Sequence, residues 1–104
     1  MTSYELTADA EEDLKQIARY TVKEWGKKQS LKYGALLEAC FEKIAHRTAI
    51  ARVFSKTYPQ VKFVHCEHHY VFYLDFENRP PCIIAVLHEA MDIVARLDER
   101  LDFE

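Results

Sequence analysis

Residues 65–70 read His-Cys-Glu-His-His-Tyr, which puts three imidazoles, a thiol and a carboxylate within six positions. All three group types are zinc ligands, and imidazole moves protons near neutral pH. Zinc, however, needs three or four donors converging tetrahedrally, and recognisable sites usually draw paired ligands from two separated segments. This chain has a single cluster, with His88 as the one distant candidate. A polar turn between strands is therefore the expected reading, and no metal is expected. Were the segment extended, His65 and Glu67 would share one side and Cys66 and His68 the other; a turn would scramble that order.

A second group, His88, Glu89 and Asp92, stands where the last apolar run gives way to helical spacing. An acid–base dyad can be drawn from it. Acids in the first turn of a helix are also what the helix dipole favours, and that simpler account takes precedence. No Ser/His/Asp signature, glycine-rich phosphate loop or metalloprotease motif occurs. The expectation is no catalytic residue and no cofactor.

The elements that position these groups follow from periodicity. Ser3–Thr7 alternates and ends on Thr7, a good helix N-cap, with Asp9, Glu11 and Glu12 behind it. Ala10, Leu14, Ile17, Thr21 and Trp25 then recur at helical spacing until Gly26 ends the run. Tyr33, Leu37, Cys40, Phe41, Ile44 and Ala45 form a second such face, so the two helices should pack as an antiparallel hairpin. Residues 46–60 lose periodicity and read as an irregular connection with at most one helical turn. From Val61 onward the pattern is β: residues 61–66, 70–76 and 82–88 are rich in β-branched and aromatic side chains, with Glu77–Pro81 as a turn. Ala90, Val94, Leu97 and Leu101 give a last helix from about Glu89. The order strand-helix-helix-strand-strand-strand-helix is an α+β fold, a mainly antiparallel sheet with the helical hairpin on one face.

Both faces of the strands at 70–76 and 82–88 are apolar, whereas a sheet with one wet face alternates cleanly. One hairpin covers one face. The last helix is the first candidate to cover the other, and a partner-binding groove is the alternative.

The 104 residues suffice for one domain, residues 1–104, with a single modest core. A formal net charge of −3 argues against general nucleic-acid binding, although Arg47, Arg52, Lys56 and Lys62 gather mid-chain. No sequence-specific nucleic-acid binding is expected. Cys40, Cys66 and Cys82 follow no disulfide spacing, and neither a secretory signal nor a membrane-spanning run is visible. A cytoplasmic location, with no membrane partner, is the expectation.

An ordered set of motifs resembles the ParE family of toxins within the RelE/ParE superfamily. It comprises Ala10, Asp13, Leu14, Ile17, Tyr20, Thr21, Trp25, Gly26 and Gln29 in the first helix and after it. His69, Phe72 and Tyr73 match in a His-x-x-Phe-Tyr strand, and Leu87, His88, Met91 and Asp92 before the last helix. The connection at 46–60 lacks the Pro-x-x-Gly-Arg pattern of many relatives. The resemblance runs almost end to end and is nearest the plasmid-addiction type. It implies the toxin of a type II toxin–antitoxin module, an inhibitor without catalysis of its own that traps DNA gyrase on cleaved DNA and blocks replication. It also implies a ParD-like antitoxin whose tail folds across the toxin, in a heterotetramer or larger even assembly. Antitoxin contacts are expected at exposed aromatics, namely Trp25, Tyr33, Phe54, Tyr70 and Tyr73. Gyrase-facing candidates are His88, Asp92, Arg96 and Arg100. One alternative is a RelE-like ribosome-dependent messenger endonuclease, disfavoured by the acids Asp92, Asp98, Glu99, Asp102 and Glu104 set against Arg96 and Arg100. The other is a non-toxic interaction module.

Overall fold

A computed structural model describes residues 3–101. Strand β1 is Glu5–Leu6, and Thr7 then caps helix α1, Ala8–Trp25, by accepting the Ala10 N–H at 3.1 Å. Gly26 sits at φ +90°, a conformation that costs a β-carbon-bearing residue strain. It closes α1 through its N–H to Val22 O and lets α2, Lys27–Ala45, start at the next residue. The helices are pinned side by side where Thr21 Oγ1 donates to Ser30 Oγ at 2.8 Å. The expected helical hairpin is present.

Strands β2 (Arg52–Val53), β3 (Val61–Cys66), β4 (His69–Leu74) and β5 (Cys82–His88) follow, then α3 (Ile93–Leu101). The five-stranded sheet has the order β1-β5-β4-β3-β2; β1 runs parallel to β5 and the other pairs are antiparallel. Three boundaries differ from the sequence reading, the first being β4, which spans His69–Leu74 and not 70–76. The connection after α2 holds the two-residue edge strand β2, and α3 begins at Ile93 because residues 89–92 are spent in a turn: Met91 N–H reaches His88 O, and Asp92 Oδ1 takes the Ala95 N–H. Asp102 and Glu104 lie outside the described residues.

The sheet divides two cores. Leu37, Phe41 and Ile44 of α2 and Ala10 of α1 pack on Val64, Val71, Tyr73, Ile83 and Val86. On the other face Leu97 of α3 is wholly buried against Val61, Phe72, Ala85 and Leu87. Simple alternation would not place Ile83 and Val86 on one face. It happens because Phe72 pairs with Ala85 and Tyr73 with Ile83, leaving Ile84 as an extra residue in β5. The bulge turns the Ile84 carbonyl out of the ladder. Arg100 Nη1 donates to it at 3.0 Å.

The same guanidinium grips Asp13 of α1 with two bonds, Nη1 to Oδ2 at 2.6 Å and Nη2 to Oδ1 at 2.8 Å. Asp13 Oδ2 also accepts the Val86 N–H at 2.9 Å. One buried carboxylate thus ties α1, α3 and the stretch of β5 beyond its pairing with β1. Its hydrogen bonds hold the Arg100 guanidinium's pKa above its ordinary value.

A second polar tie joins α2 to the β3–β4 hairpin. The turn is Glu67–His68, with Glu67 at φ +56° and Cys66 opposite His69. Tyr33 Oη accepts the His68 N–H at 3.1 Å and lies 2.6 Å from His69 Nδ1. Since the hydroxyl accepts from the backbone, its own proton is free for His69 Nδ1, which places the imidazole proton on Nε2. Burial, with smaller contributions from the neighbouring His88 and His68, pushes His69 down to about 4. It is neutral at pH 7.

Two predictions follow from these ties. Asp13→Ala strands a half-buried guanidinium and a backbone N–H, and should cost roughly 3–5 kcal/mol, while the double change Asp13→Ala with Arg100→Met should cost clearly less than the sum. Urea denaturation of both singles and the double measures this, and strict additivity would show that the pair is not coupled. For His69, the folded value of about 4 lies below the unfolded one near 6.5. Its contribution is therefore whole above pH 6.5 and is lost as pH falls from there toward 4, by an amount on the order of 2–3 kcal/mol. Denaturation at pH 7.5 and pH 5 should show the loss in the natural chain and a smaller one in His69→Gln.

Candidate functional site: two apolar grooves and a histidine clasp

The histidine cluster resolves into one buried and two exposed imidazoles. His65 Nε2 lies 2.9 Å from Glu89 Oε1, and His68 Nδ1 lies 3.2 Å from Glu89 Oε2. These bonds hold the Glu89 carboxyl below its usual range, and its N–H donates to His68 O. The three side chains clasp the hairpin turn to the end of β5. His88 presents its ring edge to His69 at 5.1 Å, and its Nδ1 takes the Ala90 N–H. No group of three or more such side chains among the described residues is arranged to hold a metal. All four imidazoles have protein partners, and His69 is closed off from solvent. Their work here is to hold the turn in place.

Two grooves remain open. The first, about 310 Å³, runs between the hairpin helices and β1, with small residues Ala18, Thr21, Ser30 and Gly34 at its sides and Leu14, Ile17, Leu37 and Phe41 at its floor. A β-carbon at Gly34 would meet nothing within 4 Å, so glycine at this position leaves the groove wide without any demand from internal packing. Toward the hairpin's outer end, Trp25 and Leu31 are each 68% exposed, and Tyr20 and Val22 are exposed as well.

The second groove, about 600 Å³, lies on the sheet face that α3 leaves open. Leu97 packs with β5 and the buried Phe72, while Phe63 and Tyr70 are only partly covered, with Phe54 and Phe72 in an edge contact at 5.7 Å. Ile50, almost fully exposed, and Arg52 form its outer wall. The surplus apolar surface of the sheet is therefore covered in part by the chain's own last helix and in part by nothing within the described chain.

The residues singled out from sequence fall in different places. Trp25 is exposed at the end of α1, and Phe54 and Tyr70 are half-buried walls of the second groove. Tyr33 is half-buried and engaged with His69. Tyr73 is only 5% exposed beneath the hairpin, so it is a core residue and not the exposed aromatic it was expected to be; the apolar character of both faces hid which way it points. Of the residues near the last helix, His88 packs on His69 and Asp92 caps α3. Arg96 is exposed and takes part in no ion pair among the described residues, whereas Arg100 is spent on Asp13 and Ile84 and is not an outward-facing group. Asp13 and Gly34 were missed as architectural residues. A carboxylate at position 13, between Ala10 and Leu14 on the apolar stripe, was the signal that a buried cation had to exist elsewhere.

A model of the family described as "ParE toxin of type II toxin-antitoxin system, parDE" matches residues 4–93. Toxin ParE of Escherichia coli is 44% identical over 101 residues, covering 97% of this chain and 98% of that protein. A solved structure of the chromosomal ParDE toxin–antitoxin system from P. aeruginosa shares the fold, with a TM-score of 0.70 at 18% identity over 85% of this chain and 96% of its own. With the strand-helix-helix-sheet-helix order and the uncovered grooves already in place, these likenesses settle the family: the chain belongs to the ParE toxins of type II toxin–antitoxin systems.

Proposed function

We propose that this chain poisons DNA gyrase on cleaved DNA, without catalysis of its own, and is silenced by a ParD-like antitoxin that folds across its apolar surface. The observation that carries this reading is the near end-to-end likeness to a curated ParE toxin. The grooves support its antitoxin half: an amphipathic segment laid along the hairpin would bury Trp25 and Leu31 and fill the space beside Gly34. The chain acts as one toxin domain in the cytoplasm, and a dimeric antitoxin would give an even assembly. No helix of the described residues is long and apolar enough to cross a membrane.

A ribosome-dependent endonuclease is the second reading, and the last helix weighs against it. Arg100 is committed to Asp13, which leaves Arg96 beside the exposed acids Asp98 and Glu99. A last helix with Arg100 so committed and two exposed acids offers little to stabilise a scissile phosphate.

The deciding experiment is a gyrase assay with plasmid, ATP and purified toxin. Enzyme-linked linear DNA that disappears on adding antitoxin is the expected result. Codon-periodic cleavage of messenger on translating ribosomes, with gyrase unaffected, would instead select the nuclease. The docking half is tested by Gly34→Leu. It introduces a better helix former into open space, so the melting temperature should hold or rise, while antitoxin affinity falls at least about tenfold as the groove fills. Trp25→Ala should weaken the complex by about 1–3 kcal/mol with little change in stability, and Tyr73→Ala should do the reverse. Calorimetric titration and thermal melts of the three variants measure both effects.

A further inference from the structure

The charge of this chain is unevenly placed. Residues 14–37 hold six cations and a single acid, Glu24, against eight cations and sixteen acids in the rest of the chain. Most of that excess lies at the outer end of the helical hairpin, where Lys23, Lys27, Lys28 and Lys32 are all exposed. Among the described residues none of these four takes part in an ion pair. The first turn of α2 carries no acid, and lysines at that end of a helix work against the helix dipole. Lys23, in the last turn of α1, suits that helix, but Lys27 and Lys28 do not serve the stability of α2. Between the lysines stands the exposed indole of Trp25, flanked by Leu31.

We infer that the hairpin tip is a sequence-independent contact for DNA with unpaired bases, its lysines on phosphates and Trp25 stacked on a base. Lysine is a rotatable point charge that suits a string of phosphates, whereas pairing with carboxylates of an acidic protein favours the planar fork of arginine, and no arginine lies between residues 20 and 46. A bare aromatic face beside a basic track is the usual means of holding single-stranded nucleic acid. Residues 43–66 also carry five cations and no acid, so what sets the tip apart is the exposed indole among its lysines. The inference deepens the toxin reading: the DNA the chain would meet is the opened duplex held by gyrase, and an antitoxin seated on Trp25 would mask the contact.

Trp25 is the only tryptophan, so its emission reports the tip directly. Free toxin titrated at low salt with a single-stranded oligodeoxynucleotide should show saturable quenching. Affinity should fall with salt at a log–log slope of about −2 to −3, roughly −0.7 for each phosphate neutralised. Lys27→Glu with Lys28→Glu should keep the melting temperature and lose at least about tenfold in affinity, the equivalent of two charge reversals at the contact. Polyglutamate should leave the emission unchanged. An unquenched Trp25, an equal response to polyglutamate, or binding indifferent to the double change would each overturn the inference. Gyrase is absent from this titration, so its outcome is separate from that of the cleavage assay.

Discussion

The carboxylate of Asp13 is the point on which three elements of this fold converge. Strand β5 needs it because β1 pairs with β5 only at Cys82 and Ile83. Beyond that pairing the strand presents backbone groups that would otherwise be buried without partners, a cost of several kcal/mol over the edge. Thr7 N–H takes the Ile83 carbonyl, Arg100 takes the Ile84 carbonyl, and Asp13 takes the Val86 N–H. The ion pair is therefore the means by which two side chains complete a sheet edge that backbone alone leaves open. A purely apolar replacement would satisfy neither group.

The Ile84 bulge is the geometric partner of that arrangement. By inserting one residue opposite Phe72 and Tyr73, it moves Ile83 and Val86 to the helical side and Ala85 and Leu87 to the side of α3. Both faces of β5 are apolar in any register, and each needs a cover. The hairpin supplies one, while α3, nine residues long with Leu97 as its buried anchor, supplies part of the other. What it leaves is the aromatic groove of Phe63, Tyr70 and Phe72. The described residues of α3 leave Phe63 and Tyr70 only partly covered.

Features with local causes were legible in the sequence. The Thr7 cap, the Gly26 stop, the helical stripes and the strands at 61–66 and 82–88 depend on residues within a few positions of one another. Strand β2 was not legible, because Arg52 and Val53 are both exposed and carry no alternation; only their pairing with Lys62 and Phe63 defines them as a strand. The start of α3 was misplaced although Asp92 carries the same kind of cap signal as Thr7, because the helical spacing of Ala90 and Val94 masked it. Tyr73 and Arg100 were misjudged for a different reason. Their surroundings are set by contacts across the fold, Arg100 reaching Asp13 from 87 positions away, and such pairings leave only an oblique trace in the sequence. That trace was Asp13 itself, an acid on an apolar stripe.

A chain of this size that spends its polar side chains on a sheet edge and a turn has little left to close its grooves. Uncovered apolar surface is a liability for a protein that works alone, since it invites association. For one that is stored in complex it is a binding surface held ready, and a segment that covers it stabilises the fold in proportion to its affinity. The placement of charge follows the same division. Lys23, Lys27, Lys28 and Lys32 lie at the hairpin tip, next to the first groove, apart from the cations of residues 43–66. On the proposed reading, a partner that fills the groove would sit within reach of the lysines, and occupation of the apolar surface would conceal the charged one.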